Sequence, residues 1–253
     1  MTGATGGIGQ AIARALHARG ASVVLTGRRR EVLEGLAAEL GERAEVVEAD
    51  LADPQAVRDL AERGTLDVLV ANAALPASGP LDDYSPEEID RALDVNLRGP
   101  IQLAAALAPG MVERGHGHLV FVNSISGKSA TAGSSLYSAT KFGLRGFATG
   151  LRGDLHGTGV GVSTVFPGFI SGAGMFAETG LDAPVPTRTP EDVADGVIRA
   201  IERNRLEVDV APMLLRLSGK LSGLAPGATL AISRRFDRTS LSERLGEAQR
   251  SKR

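Results

Sequence analysis

Thr2-Gly3-Ala4-Thr5-Gly6-Gly7-Ile8-Gly9 runs without a break into the amphipathic segment Gln10 to Arg19, so a glycine-rich turn feeds directly into the start of a helix. Glycines let a backbone turn tightly and approach a ligand closely, and the first turn of a helix offers unpaired N–H groups at the positive end of its dipole. That combination suits a pyrophosphate. A glycine cluster alone equally marks a flexible turn, and the chain has 32 glycines. The flanking sequence has to decide between the two.

Beyond the turn, short β-branched runs at 22–26, 45–49, 68–71, 118–123, 161–166 and 207–210 alternate with helical patterns at 30–41, 54–62, 86–114, 135–156 and 190–203. This alternation predicts an α/β fold, a doubly wound parallel sheet in a single domain. Right-handed crossovers then bring the loops after the strands to one edge, where Asn72, Ser124 and Pro167 fall.

A second motif lies in SSLYSATKFGLRGF. Tyr137 and Lys141 are four residues apart in a stretch that reads as helix, so phenol and ammonium project from one face. The chain has two tyrosines and four lysines against twenty-four arginines, and a chance Tyr-x-x-x-Lys is expected about 0.03 times per chain. The pair reads as a proton-transfer site. A lysine in an arginine-rich chain also suggests that a compact point charge is wanted there.

Together these residues resemble the short-chain dehydrogenase/reductase superfamily, with its T-G-x-x-x-G-x-G turn and Y-x-x-x-K pair. The resemblance extends over Asp50-Leu51, Ala71-Asn72-Ala73-Ala74, Asn96 in DVNLRG, Ser124 in FVNSISG, and Pro167-Gly168. It implies a Rossmann fold and an oxidoreductase that passes a hydride between a nicotinamide cofactor and a carbonyl or hydroxyl carbon. Tyr137 would be the general acid/base, with Lys141 and the oxidised nicotinamide together lowering its pKa and Lys141 holding the nicotinamide ribose. Ser124 would hydrogen-bond the substrate oxygen, and Asn96 would position a water linking Lys141 to solvent. Cofactor contacts would come from Gly3, Thr5, Gly7, Ile8, Gly9, Asp50, Leu51, Asn72, Ala73, Ala74, Tyr137, Lys141, Pro167, Gly168 and Ile170.

Cofactor choice is read from SVVLTGRRR, where Arg28 and Arg29 stand in place of the acid that an NAD-preferring relative would carry. A guanidinium can hold a 2′-phosphate that a carboxylate would repel, so NADP (NADPH) is expected, with Arg28 the main contact. Three features depart from the family pattern. Ala74 replaces a glycine, and Gly172 stands where relatives often place a threonine, leaving Ser171 or the Ile170 backbone to substitute. Only Met1 precedes the glycine turn, so the family's first strand is expected to be missing from this sequence.

The remaining 253-residue composition constrains partners more than chemistry. With 43% apolar residues, a formal charge of −2 and no cysteine, disulfides and thiolate catalysis are excluded and no partner class is forced by charge. No run spans a bilayer and no leader is read, which makes a cytoplasmic protein the default expectation. Aromatics at 4% without a basic stripe argue against nucleic acid. Gly-His-Gly-His around His116 and His118 has no neighbouring acid to complete a metal set, and none is expected. His17 and His156, near helix ends, read as surface residues.

Residues 1–211 are assigned to the NADP-binding catalytic domain and 212–253 to a C-terminal extension. In that extension Met213 to Leu217, Leu221, Leu224 and Arg234-Arg235 mix apolar and basic positions around a Pro226-Gly227 break. It could cover the pocket, support a subunit contact or rest on a membrane surface, in that order of preference. Met175, Phe176 and Leu181 resemble the family's substrate lid and favour an apolar carbonyl or alcohol substrate. The family resemblance also implies a homodimer or homotetramer built on the helices carrying Asn96 and Tyr137. The alternative function is a non-catalytic NADP-binding sensor or scaffold.

Overall fold

The computed structural model describes residues 1–177, 179–181, 183, 186–225, 227, 231 and 239–250. Strands and helices alternate as α1 (Gly7–Ala18), β1 (Val23–Gly27), α2 (Arg30–Leu40), β2 (Ala44–Glu48), α3 (Pro54–Ala61), β3 (Val68–Ala71), α4 (Pro86–Leu93) and α5 (Gly99–Arg114). They continue with β4 (Gly117–Val122), α6 (Ser135–Asp154), β5 (Val160–Pro167), the short α7 (Gly174–Ala177), α8 (Pro190–Glu202), β6 (Glu207–Val210) and α9 (Met213–Leu224). A C-terminal helix spans Thr239–Gln249. Pro226, Arg234 and Arg235 lie outside the described residues, as does the side chain of Leu224.

Every ladder is parallel: β1 pairs with β2, and β3-β4-β5-β6 form a four-stranded sheet with Leu69 beside Leu119 and Leu119 beside Val162. Between β1 and β3, where the family's first strand is expected to be missing, run Met1 to Ala4. Thr26 N donates to the Met1 carbonyl at 3.0 Å, Ala4 N to the Thr26 carbonyl at 2.9 Å, and Thr2 N to the Val70 carbonyl at 3.0 Å. The Thr2 hydroxyl also accepts from the amides of Asn72 and Ala73. Three residues, Met1, Thr2 and Ala4, thus carry pairing to both neighbours.

The two-residue period of the strands sorts the core. Leu119 and Phe121 face one side with Leu103, Leu107 and Met111 of α5 and Leu144 and Ala148 of α6. Val120 and Val122 face the other with Ile12 of α1 and Val193 and Val197 of α8. Because helices cover both faces, all eight residues of β5 are buried, as a central parallel strand requires.

The expected helix over 86–114 is interrupted. Residues Asp94–Arg98 form a π-helical turn between α4 and α5. Pro100 has no N–H to give to a carbonyl four residues earlier, so the ladder is already broken there. Gly99 fits the close approach, since a Cβ would lie 3.1 Å from the Asp94 carbonyl oxygen and 3.3 Å from Leu51. The widened turn points Asn96 inward, where it is 1% exposed. Helices α3, α4 and α8 begin on capping side chains, Asp53, Ser85 and Thr189. Helix α1 begins on Gly6 without a side-chain cap or an acid in its first turn.

Candidate active site

The loops at the C-terminal strand ends enclose two adjoining cavities. The larger, of about 630 Å³, is walled by Gly3, Thr5, Gly7, Ile8 and Gly9, by Arg28 and Arg29 after β1, by Asp50 and Leu51 after β2, and by Asn72, Ala73 and Ala74 after β3. The smaller, of about 310 Å³, is walled by Ser124, Tyr137, Lys141, Pro167, Gly168 and Ile170 together with Phe169, Met175, Phe176 and Leu215. Ile8, Asn72 and Ala74 line both, so the two spaces meet at the glycine turn.

At Gly3, Gly7 and Gly9 the turn leaves no room for a side chain. Gly3 has φ +70°, which favours glycine, and its Cβ would meet Asn72 and Ala73 within 2.8 Å. A Cβ on Gly9 would lie 2.1 Å from the Gly3 carbonyl oxygen, and one on Gly7 would lie 2.3 Å from the Ala173 methyl. Gly27 clears space for the Thr5 methyl, 2.7 Å from where a Cβ would stand. Arg29 lays its guanidinium on the turn, donating to the Thr5 carbonyl at 2.5 Å, while Arg28 stands exposed at the rim. A bare turn at an uncapped helix start beside two guanidiniums has the donors and charge to hold a dinucleotide with a phosphorylated ribose.

Asp50 closes this cavity. Burial works against its charge, but hydrogen bonds from the Ala52 amide (3.0 Å) and Arg91 (2.7 Å), with the charges of Arg91 and Arg28, hold its pKa below the usual carboxylate value. Arg91 was not singled out from the sequence, because a partner 41 residues away leaves no local pattern.

In the smaller cavity Lys141 is 1% exposed, with its Nζ 5.5 Å from the centre of the Tyr137 ring and 3.5 Å from the Val122 carbonyl. Burial lowers its pKa to about 8. Burial also pushes the Tyr137 phenol up to about 12, against an opposing hydrogen bond from Ser124. In the chain alone, removal from water outweighs the Ser124 hydrogen bond, whereas the lowering expected from the sequence draws on an oxidised nicotinamide as well as on Lys141.

Ser124 starts the turn Ile125–Gly127 and accepts from the Ser126 amide at 3.1 Å. Behind it, Asn123 donates to the Lys141 carbonyl at 3.0 Å, tying β4 to α6. Lys128 anchors the other end of that turn in the interior, 2.5 Å from Asp209, 2.8 Å from Glu207 and 3.9 Å above the Phe166 ring. Neither Asn123 nor Lys128 stood out in the sequence.

Asn96 is the predicted site residue that the structure keeps out of both cavity walls. Its Oδ1 accepts from the Leu75 amide at 2.6 Å and its Nδ2 donates to the Leu75 carbonyl at 2.9 Å, so the side chain is spent on backbone. Ser171 likewise faces Arg188, through its amide at 2.9 Å and its hydroxyl at 3.3 Å, and leaves Ile170 as the cavity residue. Of the residues expected to form a lid, Met175 and Phe176 line the cavity, whereas Leu181 lines a neighbouring shallow hollow. His118 is buried against the Ser163 hydroxyl at 2.8 Å, and His116 lies 3.3 Å from Asp67 at the surface.

The C-terminal extension reaches the same cavity through Leu215 of α9 and Leu245 and Gln249 of the last helix. The opposite side of α9 exposes Met213, Leu214, Leu217 and Leu221. Among the described residues no helix is long and apolar enough to cross a membrane.

A family model described as short chain dehydrogenase matches residues 1–183. An uncharacterized oxidoreductase of Staphylococcus aureus (strain USA300) is 36% identical over 223 residues, covering 84% of this chain and 96% of the relative. The NADP-dependent 3-hydroxy acid dehydrogenase YdfG of Shigella flexneri is 38% identical over 178 residues, 68% of this chain and 72% of that protein. Among solved structures, a short-chain dehydrogenase from Sphingobium yanoikuyae in complex with NADPH superposes with a TM-score of 0.80 at 28% identity, covering 90% of this chain and 93% of that one. Motif, sheet order, cavity and relatives agree: the chain belongs to the short-chain dehydrogenase family of oxidoreductases.

Proposed function

We propose that this protein is an NADP(H)-dependent oxidoreductase that interconverts an apolar carbonyl compound and its alcohol. The observation that carries the reading is the convergence of Ser124, Tyr137 and Lys141 on one wall of an apolar cavity that opens onto the glycine turn. When bound, the dinucleotide supplies or takes up the hydride. In the reducing direction Tyr137, a neutral phenol throughout the physiological range, delivers its proton to the substrate oxygen. Ser124 fixes that oxygen, and its hydrogen bond to Tyr137 eases formation of the phenolate. The buried Lys141 cation stabilises the phenolate once formed.

Arg28 at the rim, with Arg29 braced on the turn, would hold the 2′-phosphate. The NADP dependence of one relative and the NADPH bound by a structural neighbour support the same choice. Asn96 acts as a positioning residue, because its grip on Leu75 sets the loop that follows Asn72 to Ala74. Phe169, Met175 and Phe176 make the substrate wall apolar, with the two rings in edge-on contact at 4.7 Å. Helices α5 and α6 would pair in a homodimer or homotetramer, a role that suits the exposed Phe142 of α6.

The test is NADPH oxidation against a panel of apolar aldehydes, ketones and 3-oxoacyl compounds, with NADH for comparison. Wild type should turn over at least one class with NADPH preferred, and Tyr137→Phe should lower kcat by about 10²–10⁴-fold without weakening NADPH binding. Unchanged turnover in the variant would refute the assignment of the acid. Tight NADPH binding with no turnover on any class would favour the sensor reading.

A further inference from the structure

The last helix, Thr239–Gln249, lies beyond the residues that the family model matches, yet it closes the substrate cavity. It is anchored on both sides of the opening. On the lid side, Gln249 Nε2 donates to the Met175 carbonyl at 2.9 Å. On the other, Gly246 seats against the Ser78–Gly79 backbone, where a Cβ would lie 2.7 Å from the Gly79 Cα, and Arg250 pairs with Asp83 at 3.0 Å.

Gln249 is 6% exposed, and its Oε1 has no hydrogen-bond partner among the described residues. The amide cannot be turned over to relieve this, because the atom facing the Met175 carbonyl must be the N–H donor. Gln249 is thus a residue of a largely apolar cavity's wall whose buried carbonyl oxygen has its lone pairs unspent. A buried acceptor left in this way disfavours ligands that cannot donate to it and selects those that can.

We infer that Gln249 is a specificity-determining residue that accepts a hydrogen bond from the substrate. The substrate is then an apolar carbonyl compound, or its alcohol, that carries a second polar group, a hydroxyl or amide N–H, away from the reacting carbon. The inference rests on the oxidoreductase reading for the identity of the cavity's occupant, but its test does not depend on turnover.

Calorimetric titration of the full-length protein with medium-chain methyl ketones and their ω-hydroxy counterparts, matched in chain length, reads the preference directly. At the chain length that reaches Gln249, the hydroxy ketone should bind wild type about 5- to 50-fold more tightly than its match. Gln249→Met should abolish the difference while leaving NADPH affinity unchanged. Gln249→Met should still bind the plain methyl ketone at least as tightly as wild type, so a loss confined to the hydroxy ketone cannot be ascribed to misfolding. The inference fails if no chain length shows a preference or if the Met variant keeps it. Preference in binding without NADPH oxidation would overturn the reductase assignment and leave Gln249 standing, whereas turnover without preference would do the reverse.

Discussion

At the scale of single residues, Lys141 shows what a buried charge costs the fold. Its ammonium is 1% exposed and has one long hydrogen bond, to Val122 at 3.5 Å, so the charge is poorly compensated. Burial lowers its pKa from 10.5 to about 8. Between those values the unfolded chain binds more protons than the folded one, so this residue makes stability rise with pH across that window. Below about pH 8 both states are charged and the whole penalty stands, about 3 kcal/mol. Lys141→Met should therefore raise the urea midpoint at pH 7, by up to about 3 kcal/mol in unfolding free energy, and flatten the rise above pH 8. The same variant should lose reductase activity, and a lower midpoint would show that the buried charge is better solvated than this account holds.

At the scale of elements, the glycine turn and α2 predict opposite outcomes for the same substitution. A methyl on Gly9 would sit 2.1 Å from the Gly3 carbonyl oxygen, and both partners are backbone, so the turn itself must shift. Gly9→Ala should cost about 1–3 kcal/mol in denaturant unfolding and weaken NADPH binding by at least about ten-fold. Gly35 lies on the exposed side of α2 with no atom within 4 Å of a Cβ. Gly35→Ala should stabilise by about 0.5–1 kcal/mol, since only helix propensity changes. Equal effects at the two positions would mean that crowding in the turn is not what fixes its glycines.

At the scale of the whole molecule, His118 makes the interior sensitive to acid. Its ring reaches from β4 to β5, and a Cβ on Gly161 would meet that ring at 2.4 Å, so the glycine makes its berth. Burial, then the nearby Arg152 charge, lowers its pKa from 6.5 to about 4. The unfolded chain takes up a proton first on acidification, so stability present above pH 6.5 is lost progressively down to about pH 4, by about 3 kcal/mol. Urea unfolding between pH 7 and 4.5 should show this loss, and His118→Gln should remove most of the slope. A slope unchanged by that variant would show that His118 does not carry it, since Glu207 and Asp50, with their lowered pKa values, act in a more acidic range.

The sequence by itself determined the alternation of strands and helices, the doubly wound parallel sheet, and most of the cavity-lining positions around the glycine turn and the Tyr137–Lys141 pair. These are legible because they depend on local periodicity and on residues a few positions apart, which one stretch of chain records. Only the tertiary structure decided that Asn96 serves the Leu75 backbone, that Arg91 pairs with Asp50, that Tyr137 is held neutral, and that Gln249 closes the cavity. Such facts arise where segments far apart in sequence are desolvated against one another, and neither spacing nor composition encodes which buried groups will meet.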